Sequence, residues 1–377
     1  MASEGLTKTS ATVLIILFVA GLFVGALATF YFAYKQINNL NGQISNLQSQ
    51  VSDLKGFQNA TYPNITILQN GTSLTSLYDD VRDSIVLIEG NIAGGTQQGS
   101  GFVCTSAGRM VILTNYHVVQ GTSDLSVTFA DGNGYTATVL GTDPYSDLAV
   151  VSVDAPASEF KPLDIVSSST LAVGESVIAI GNPYGLVGSL TTGVVSALGR
   201  TITEDTAGGF AIANIIQTST PINPGNSGGP LLNAAGGVVG ITTAIVTNSQ
   251  GLGFAIPSDT ILKEINDLIT TGSYSGHSYL GITEEDMSYS IAQQSGSSVT
   301  YGCKIESVVS GGPSEGKLRV GDIIIAMNNQ TIINGDDLAS YLEENTLPSD
   351  TVVITVMRGS SQIEVGVVLG TRPPPAS

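Results

Sequence analysis

The stretch "PINPGNSGGP", residues 221–230, sets Ser227 among glycines and prolines. Gly and Pro punctuate turns, so a serine in such company is by default a turn residue. Its hydroxyl becomes a nucleophile only if a base removes its proton and a third group orients that base. The reading of this stretch therefore depends on an imidazole and a carboxylate elsewhere in a chain with two histidines, His117 and His277.

Between residues 85 and 257, short Val/Ile/Thr-rich runs alternate with Gly, Asn-Pro and Asp-Pro signals and show no long helical period, which predicts an all-β barrel or sandwich region. Within it, "MVILTNYHVV" (110–119) puts His117 at the end of an apolar run, and "GTDPYSDLAVVSV" (141–153) puts Asp147 directly before another. Either alone reads as a packing or capping residue. Together with "GNSGGP" they complete the order His, Asp, Ser that a chymotrypsin-type arrangement requires. His277, in the polar stretch "GSYSGHSYL" (272–280), reads as exposed and inert, which leaves His117 as the candidate base.

The 377 residues suffice for two or three domains, and 42% hydrophobic content is enough to build their cores. Only 12% are charged, and the net charge is -18 with a pI near 4.2. An acidic surface gains nothing from a polyanion, so nucleic acid is not expected as a partner. Cys104 and Cys303 lie far apart in the apolar runs "GFVCT" and "YGCKI" and read as buried hydrophobes, not as a disulfide framework.

No charged residue occurs from Thr9 to Tyr34. As a helix, "ATVLIILFVAGLFVGALATFYFAY" (11–34) would span roughly 36 Å, longer than the roughly 30 Å hydrocarbon core of a bilayer. Phe30, Tyr31, Phe32 and Tyr34 beside Lys35 supply an interfacial aromatic belt. The span reads as a single anchor; the rival reading is a cleaved signal peptide ending at "ALA" (26–28). Sequons at Asn59, Asn64, Asn70 and Asn329 predict an extracytoplasmic location for the bulk of the chain. Ile37, Leu40, Ile44, Leu47, Val51 and Leu54 form a short heptad seam with β-branched residues at a and Leu at d, the two-stranded preference. With Gly21 and Gly25 in the span, this predicts self-association.

"TNYHVV", "SDLAVV", "INPGNSGGPL" and "GLGFAIP" resemble the signature blocks of the HtrA/Deg family of serine proteases, and the similarity runs from about residue 75 to 372. The resemblance implies a mainly β fold: a chymotrypsin-like double β-barrel protease domain followed by a PDZ domain. It implies His117 as general base, Asp147 as its orienting carboxylate and Ser227 as nucleophile, with Gly225 and Ser227 N–H groups forming the oxyanion hole. Asp143 matches a noncatalytic aspartate and reads as a turn residue. The substrate pocket is expected near Ile222, Thr242, Thr243 and Ala244; lacking an acid, it predicts small or medium aliphatic residues before the cleaved bond. Asn226 cannot pair with a new amino terminus, so zymogen-style activation is not expected, and "NPYGLVGSL" (182–190) and "TITEDTAGG" (201–209) are the candidate activation loops. The segment "QTSTP" (217–221) departs from the family's usual sequence there.

"PSDTILKEINDLITTGSY" (257–274) predicts a helix capped by Ser258 or Asp259. Beyond it, "YLGITEED" and "GKLRVGDIII" look like a PDZ domain of the circularly permuted bacterial type, with Tyr279, Leu280, Gly281 and Ile282 as the loop that captures a peptide's C-terminal carboxylate. Lys317 and Arg319 read as solvated turn charges. The expected organisation is a tail (1–8), a transmembrane helix (9–34), a coiled-coil stalk (35–56), a linker (57–73), the protease domain (74–272), the PDZ domain (273–372) and a tail (373–377). The expected function is a membrane-anchored, outward-facing endopeptidase of misfolded proteins, with no cofactor or metal and with peptide C-termini as PDZ partners. Family habit favours a trimer over the dimer that the heptads prefer. The alternative is a chaperone or PDZ scaffold with little proteolysis.

Overall fold

The computed structural model describes residues 72–182, 188–204, 210–223, 225–243 and 252–374, with scattered helical positions between 13 and 43. Six strands, β1 (Ile85–Ile92), β2 (Gly95–Ser106), β3 (Arg109–Thr114), β4 (Ser123–Thr128), β5 (Gly134–Asp143) and β6 (Leu148–Val153), close into a barrel of order β1-β2-β3-β6-β5-β4. Six more, β7 (Ser176–Gly181), β8 (Ser189–Glu204), β9 (Phe210–Thr218), β10 (Pro230–Asn233), β11 (Val238–Thr243) and β12 (Gly253–Pro257), close a second barrel of order β10-β11-β12-β9-β8-β7. Closure leaves neither sheet with an unpaired edge.

The apolar runs are continuous because both faces of these strands are buried. On β3 and β6, Ile112, Ala149 and Val151 fill the first barrel, while Val111, Leu113, Leu148 and Val150 face outward into a second core. On β7, Val177 and Ala179 fill the second barrel, while Ile178 and Ile180 enter that same shared core. Successive side chains on a strand point to opposite faces, so one run seals both a barrel and the layer between barrels.

Helix α1 (Thr72–Val81) lays Leu74, Leu77 and Tyr78 on the shared core, and α2 (Tyr116–Val119) is a single turn after β3. Helix α3 (Ser258–Thr270) buries Ile261, Ile265 and Leu268 on one stripe. Its cap differs from the expectation. Pro257 occupies the cap position, Ser258 donates its hydroxyl to the Val166 carbonyl at 2.5 Å, and the Ser168 hydroxyl accepts from Asp259 N at 3.2 Å. A neighbouring loop thus supplies the cap that local sequence was expected to provide.

The C-terminal unit contains a two-stranded ladder, β13 (Ser278–Tyr279) with β20 (Gly370–Thr371), and a sheet of order β14 (Ile282–Asp286), β15 (Cys303–Val308), β16 (Ile323–Met327), β18 (Thr351–Arg358), β19 (Ser361–Val368), with β17 (Gln330–Thr331) on β16. Helices α4 (Tyr289–Ser295) and α5 (Gly335–Asn345) complete it, and Asn334 caps α5 by accepting from Asp337 N at 3.0 Å. Ile305, Ile324, Leu338, Val352, Ile354 and Val367 build its core.

His277 is not exposed: it is 3% accessible, with Nε2 2.6 Å from Asp143 Oδ2 and Nδ1 2.9 Å from Glu343 Oε2. Asp143 is likewise more than a turn residue; it accepts from Tyr145 N in a local turn and receives His277 as well. The Gly/Ser-rich connector looks solvated in sequence, yet Tyr145 and Tyr274 close edge-on against the His277 ring. Cys104 and Cys303 are buried and unbridged, as expected, and burial pushes the Cys104 thiol up to about 12.

Most of the expected span and the heptad positions Ile44, Leu47, Val51 and Leu54 lie outside the described residues, while Ile37 and Leu40 are helical and exposed. No helix among the described residues is long and apolar enough to cross a membrane. Asn329 stands exposed in the β16–β17 turn; the other sequons lie outside the described residues.

Candidate functional site: a histidine, a carboxylate and a serine between two barrels

His117 sits on the one-turn helix α2, carried there by the end of β3. Asp147 ends the β5–β6 turn, fully buried and at a φ of 50°. Its carboxylate accepts from His117 N at 2.9 Å and lies 2.9 and 3.1 Å from His117 Nδ1. Thr243 Oγ1 donates to the same carboxylate at 3.1 Å, across from β11 of the other barrel. The Asp147 carbonyl accepts from Tyr116 N and Asn115 Nδ2, both at 3.0 Å. With these donors around it the carboxylate faces His117 as an acceptor, so Nδ1 carries the imidazole's proton and Nε2 is the ring's acceptor.

Ser227 is 5% exposed in the turn that leads into β10. Gly225 and Gly228 take φ values of 96° and 86°, a region that strains any side chain. A Cβ on Gly228 would collide with the Ser100 carbonyl and the Thr114 hydroxyl, and one on Gly229 with the Ile180 carbonyl. The paired glycines therefore let the turn seat directly on β2, β3 and β7. Asn226 is 2% exposed with its side chain against Gly181.

Sequence reasoning missed Ser100. Its backbone N–H donates to the Ser227 carbonyl at 2.8 Å, and its hydroxyl donates to the Gly225 carbonyl at 2.5 Å while accepting from Asn182 N at 2.7 Å. One residue of the first barrel thus clamps the turn of the second. The signal was present in "GSG" (99–101), since glycines inside a strand mark close backbone approach; a Cβ on Gly99 would meet Val118.

Thr242 and Thr243, expected along a pocket wall, are both buried. Thr242 donates its hydroxyl to the Asn226 carbonyl at 2.7 Å and exchanges backbone bonds with the 228–229 turn. Thr243 serves Asp147. Ile222 is half-buried against the second-barrel core, and Ala244 lies outside the described residues, as do most of the two candidate loops.

In the C-terminal unit, Tyr279 pairs with Gly370, and the Leu280 carbonyl accepts from Ser314 Oγ at 2.6 Å. Gly281 turns at a φ of 74°, its carbonyl accepting from Val309 N, and Ile282 opens β14. These four residues line a cavity together with α5 and with Thr201, Ala211 and Ala213 of β8 and β9.

Asp143, Glu264 and His277 place potential ligand atoms within 4.8 Å of one another. The 2.6 Å contact between His277 and Asp143 is a hydrogen bond, closer than the roughly 3.3 Å that separates two tetrahedral ligands of a zinc ion at ~2.0 Å each. Burial first, and then Asp143, push the Glu264 carboxyl well above its ordinary range, and its Oε1 accepts from Ser146 Oγ at 2.7 Å.

A trypsin-like peptidase domain matches residues 99–241 and a PDZ domain matches residues 278–369. The chain is 40% identical over 73% of its length to "Protease Do-like 1, chloroplastic" of Arabidopsis thaliana. It is 38% identical over 74% of its length to "Putative serine protease HhoA" of Synechocystis sp., and 38% identical over 73% to a "Probable periplasmic serine endoprotease DegP-like" of Pseudomonas savastanoi. It spans 64%, 71% and 56% of those three proteins. Among solved structures, "HtrA-type protease AlgW with tripeptide" superposes with a TM-score of 0.65 at 30% identity, covering 80% of this chain and 98% of that one. The serine endoprotease from Yersinia pestis superposes with a TM-score of 0.58 at 29% identity, covering 79% of this chain and 98% of that one. Two closed barrels with His117, Asp147 and Ser227 between them, followed by a PDZ domain, therefore belong to a member of the HtrA/Deg family of serine endoproteases.

Proposed function

We propose that the chain is a membrane-anchored serine endopeptidase that cleaves misfolded proteins on the extracytoplasmic side, with Ser227, His117 and Asp147 as its triad. The observation that carries this reading is the Asp147 carboxylate holding both Nδ1 and the backbone N–H of His117. Ser227 Oγ attacks the peptide carbonyl as His117 Nε2 takes its proton, and His117 then returns that proton to the leaving amine. Asp147 keeps the imidazole in one tautomer and stabilises the imidazolium. The N–H groups of Gly225 and Ser227 receive the oxyanion of the tetrahedral intermediate. Water then hydrolyses the acyl-enzyme by the same proton transfers in reverse.

The anchor is residues 9–34, supported by an uncharged length that exceeds the bilayer core. The extracytoplasmic location is supported by the sequons and by relatives whose names place them in the periplasm. The PDZ domain binds substrate or activator C-termini at Tyr279–Ile282, and chains assemble as trimers.

The test is to treat the purified chain with a fluorophosphonate probe and an unfolded protein, beside its Ser227→Ala variant. Labelling and cleavage by the parent chain alone are expected. Either one surviving the substitution refutes the assignment, and a parent chain that only suppresses aggregation makes it a chaperone scaffold.

A further inference from the structure

The cavity between β14 and α5, also lined by Thr201 of β8 and Ala211 and Ala213 of β9, encloses 230 Å³. At one end, beside the 279–282 loop, its wall is aliphatic: Leu280, Ile282, Leu338 and Leu342. Strand β14 is the edge of its sheet and pairs only with β15, so its other edge faces the cavity. At the opposite end the character changes. Glu284 and Asp286 from β14 converge on the first residue of α5, next to Asp336: a Cβ on Gly335 would stand 2.6 Å from Glu284 Oε1 and 3.3 Å from Asp286 Oδ1.

Part of this acidity has an ordinary explanation. Asp286 accepts from Gly335 N at 2.6 Å, Asp336 accepts from Thr201 N at 2.9 Å and meets Arg200 at 3.3 Å, and acids at a helix N-terminus complement its dipole. Glu284 has no such role. Glu285, on the alternate face of the strand, lies 3.8 Å from Lys304, but among the described residues no Lys or Arg pairs with Glu284 or Asp286. Loss of solvent, and then Asp286 and Asp336, push the Glu284 carboxyl up, the mark of a negative charge held beside others of its sign.

A chain added antiparallel to β14 with its last residue beside Ile282 brings the residue two before it level with Glu284, and the residue four before it level with Asp286. We infer that this groove selects peptides that end in an aliphatic residue and carry Lys or Arg two to four residues before the end. The inference rests on the reading of the module as a binder of C-termini and names the chemistry it prefers. A cationic side chain there lies against Glu284 and Asp286, neither of which pairs with a Lys or Arg among the described residues, while an acidic one meets like charge from both.

The test uses the full chain carrying Ser227→Ala, so that peptides stay intact, and fluorescein-labelled decapeptides ending in valine with Lys, Gln or Glu at the third position from the end. Fluorescence anisotropy should rank them Lys, Gln, Glu in falling affinity, with about 5- to 10-fold between Lys and Glu at low salt. The spread should collapse at 1 M NaCl, where the Debye length is about 3 Å. The double variant Glu284→Gln, Asp286→Asn keeps side-chain size and the bond from Gly335 N, and should remove the ranking while the Gln peptide binds as before. Three equal affinities, with the free acid still far tighter than its C-terminal amide, overturn the inference and leave the binder reading standing. An amide that binds as well as the free acid overturns that reading and this inference with it.

Discussion

Thr243, on the second barrel, donates its hydroxyl to Asp147, which belongs to the first, across 3.1 Å of fully buried space. The carboxylate that orients His117 is therefore held by both barrels at once. Thr243→Val preserves shape but removes one of the donors around a buried carboxylate, a loss of about 1 to 1.5 kcal/mol. We expect kcat/KM on an unfolded protein to fall about 10-fold, and Thr243→Ser to restore it. Equal rates for Val and Thr at this position would remove the hydroxyl from the machinery.

Asp147→Asn should fold, because Asn tolerates the positive φ found there better than most residues. Its amide no longer fixes the tautomer of His117, so turnover should drop by about 10⁴-fold with little change in melting temperature. Fluorophosphonate labelling rates report the first effect and thermal unfolding the second.

Ser100→Ala removes the donor to the Gly225 carbonyl, in a part-buried bond, and the acceptor for Asn182 N, in a buried one. Unpaired polar groups of this kind cost about 1 to 3 kcal/mol each, so denaturant unfolding should shift by about that amount. The turn carrying Ser227 loses the side-chain half of its clamp while the bond from Ser100 N to the Ser227 carbonyl stays, and kcat should fall more than KM rises.

His277 is packed among Asp143 of the first barrel, Glu264 and Lys263 of α3, Glu343 of α5, and Tyr145, Tyr274 and Arg372. Burial disfavours its charge, but its hydrogen bonds to Asp143 and Glu343 outweigh it and raise its pKa from 6.5 to about 9. A raised pKa means the folded chain binds the proton more tightly than the unfolded one. The stabilisation is thus full below about pH 6.5 and is lost as pH rises through 9. Its size is about 3 kcal/mol at most. Unfolding free energies measured from pH 6 to 10 should decline through this window in the parent chain and stay flatter in His277→Gln; parallel curves would show that His277 carries no such charge.

The triad candidates were legible because each sits where the chain is locally punctuated: His117 after an apolar run, Asp147 before one, and Ser227 among glycines whose backbone angles few other residues tolerate. The two barrels were legible as strand-and-turn spacing, although the reason both strand faces are apolar appears only once one barrel packs on the other. His277 was misread because burial is not a local property. Its solvent is removed by α3 and α5, whose carboxylates come from residues 13 positions before it and 66 after it.

The sequence alone determined the residue types, their order and the turns that present them, since backbone propensity and side-chain chemistry act over a few neighbours. Only the tertiary structure decided that Thr243 reaches Asp147, that Ser100 grips the Ser227 turn and that Glu284 and Asp286 meet at the first residue of α5. Those contacts join residues far apart in the chain, and the packing that closes each barrel and seats α5 against β14 brings them together.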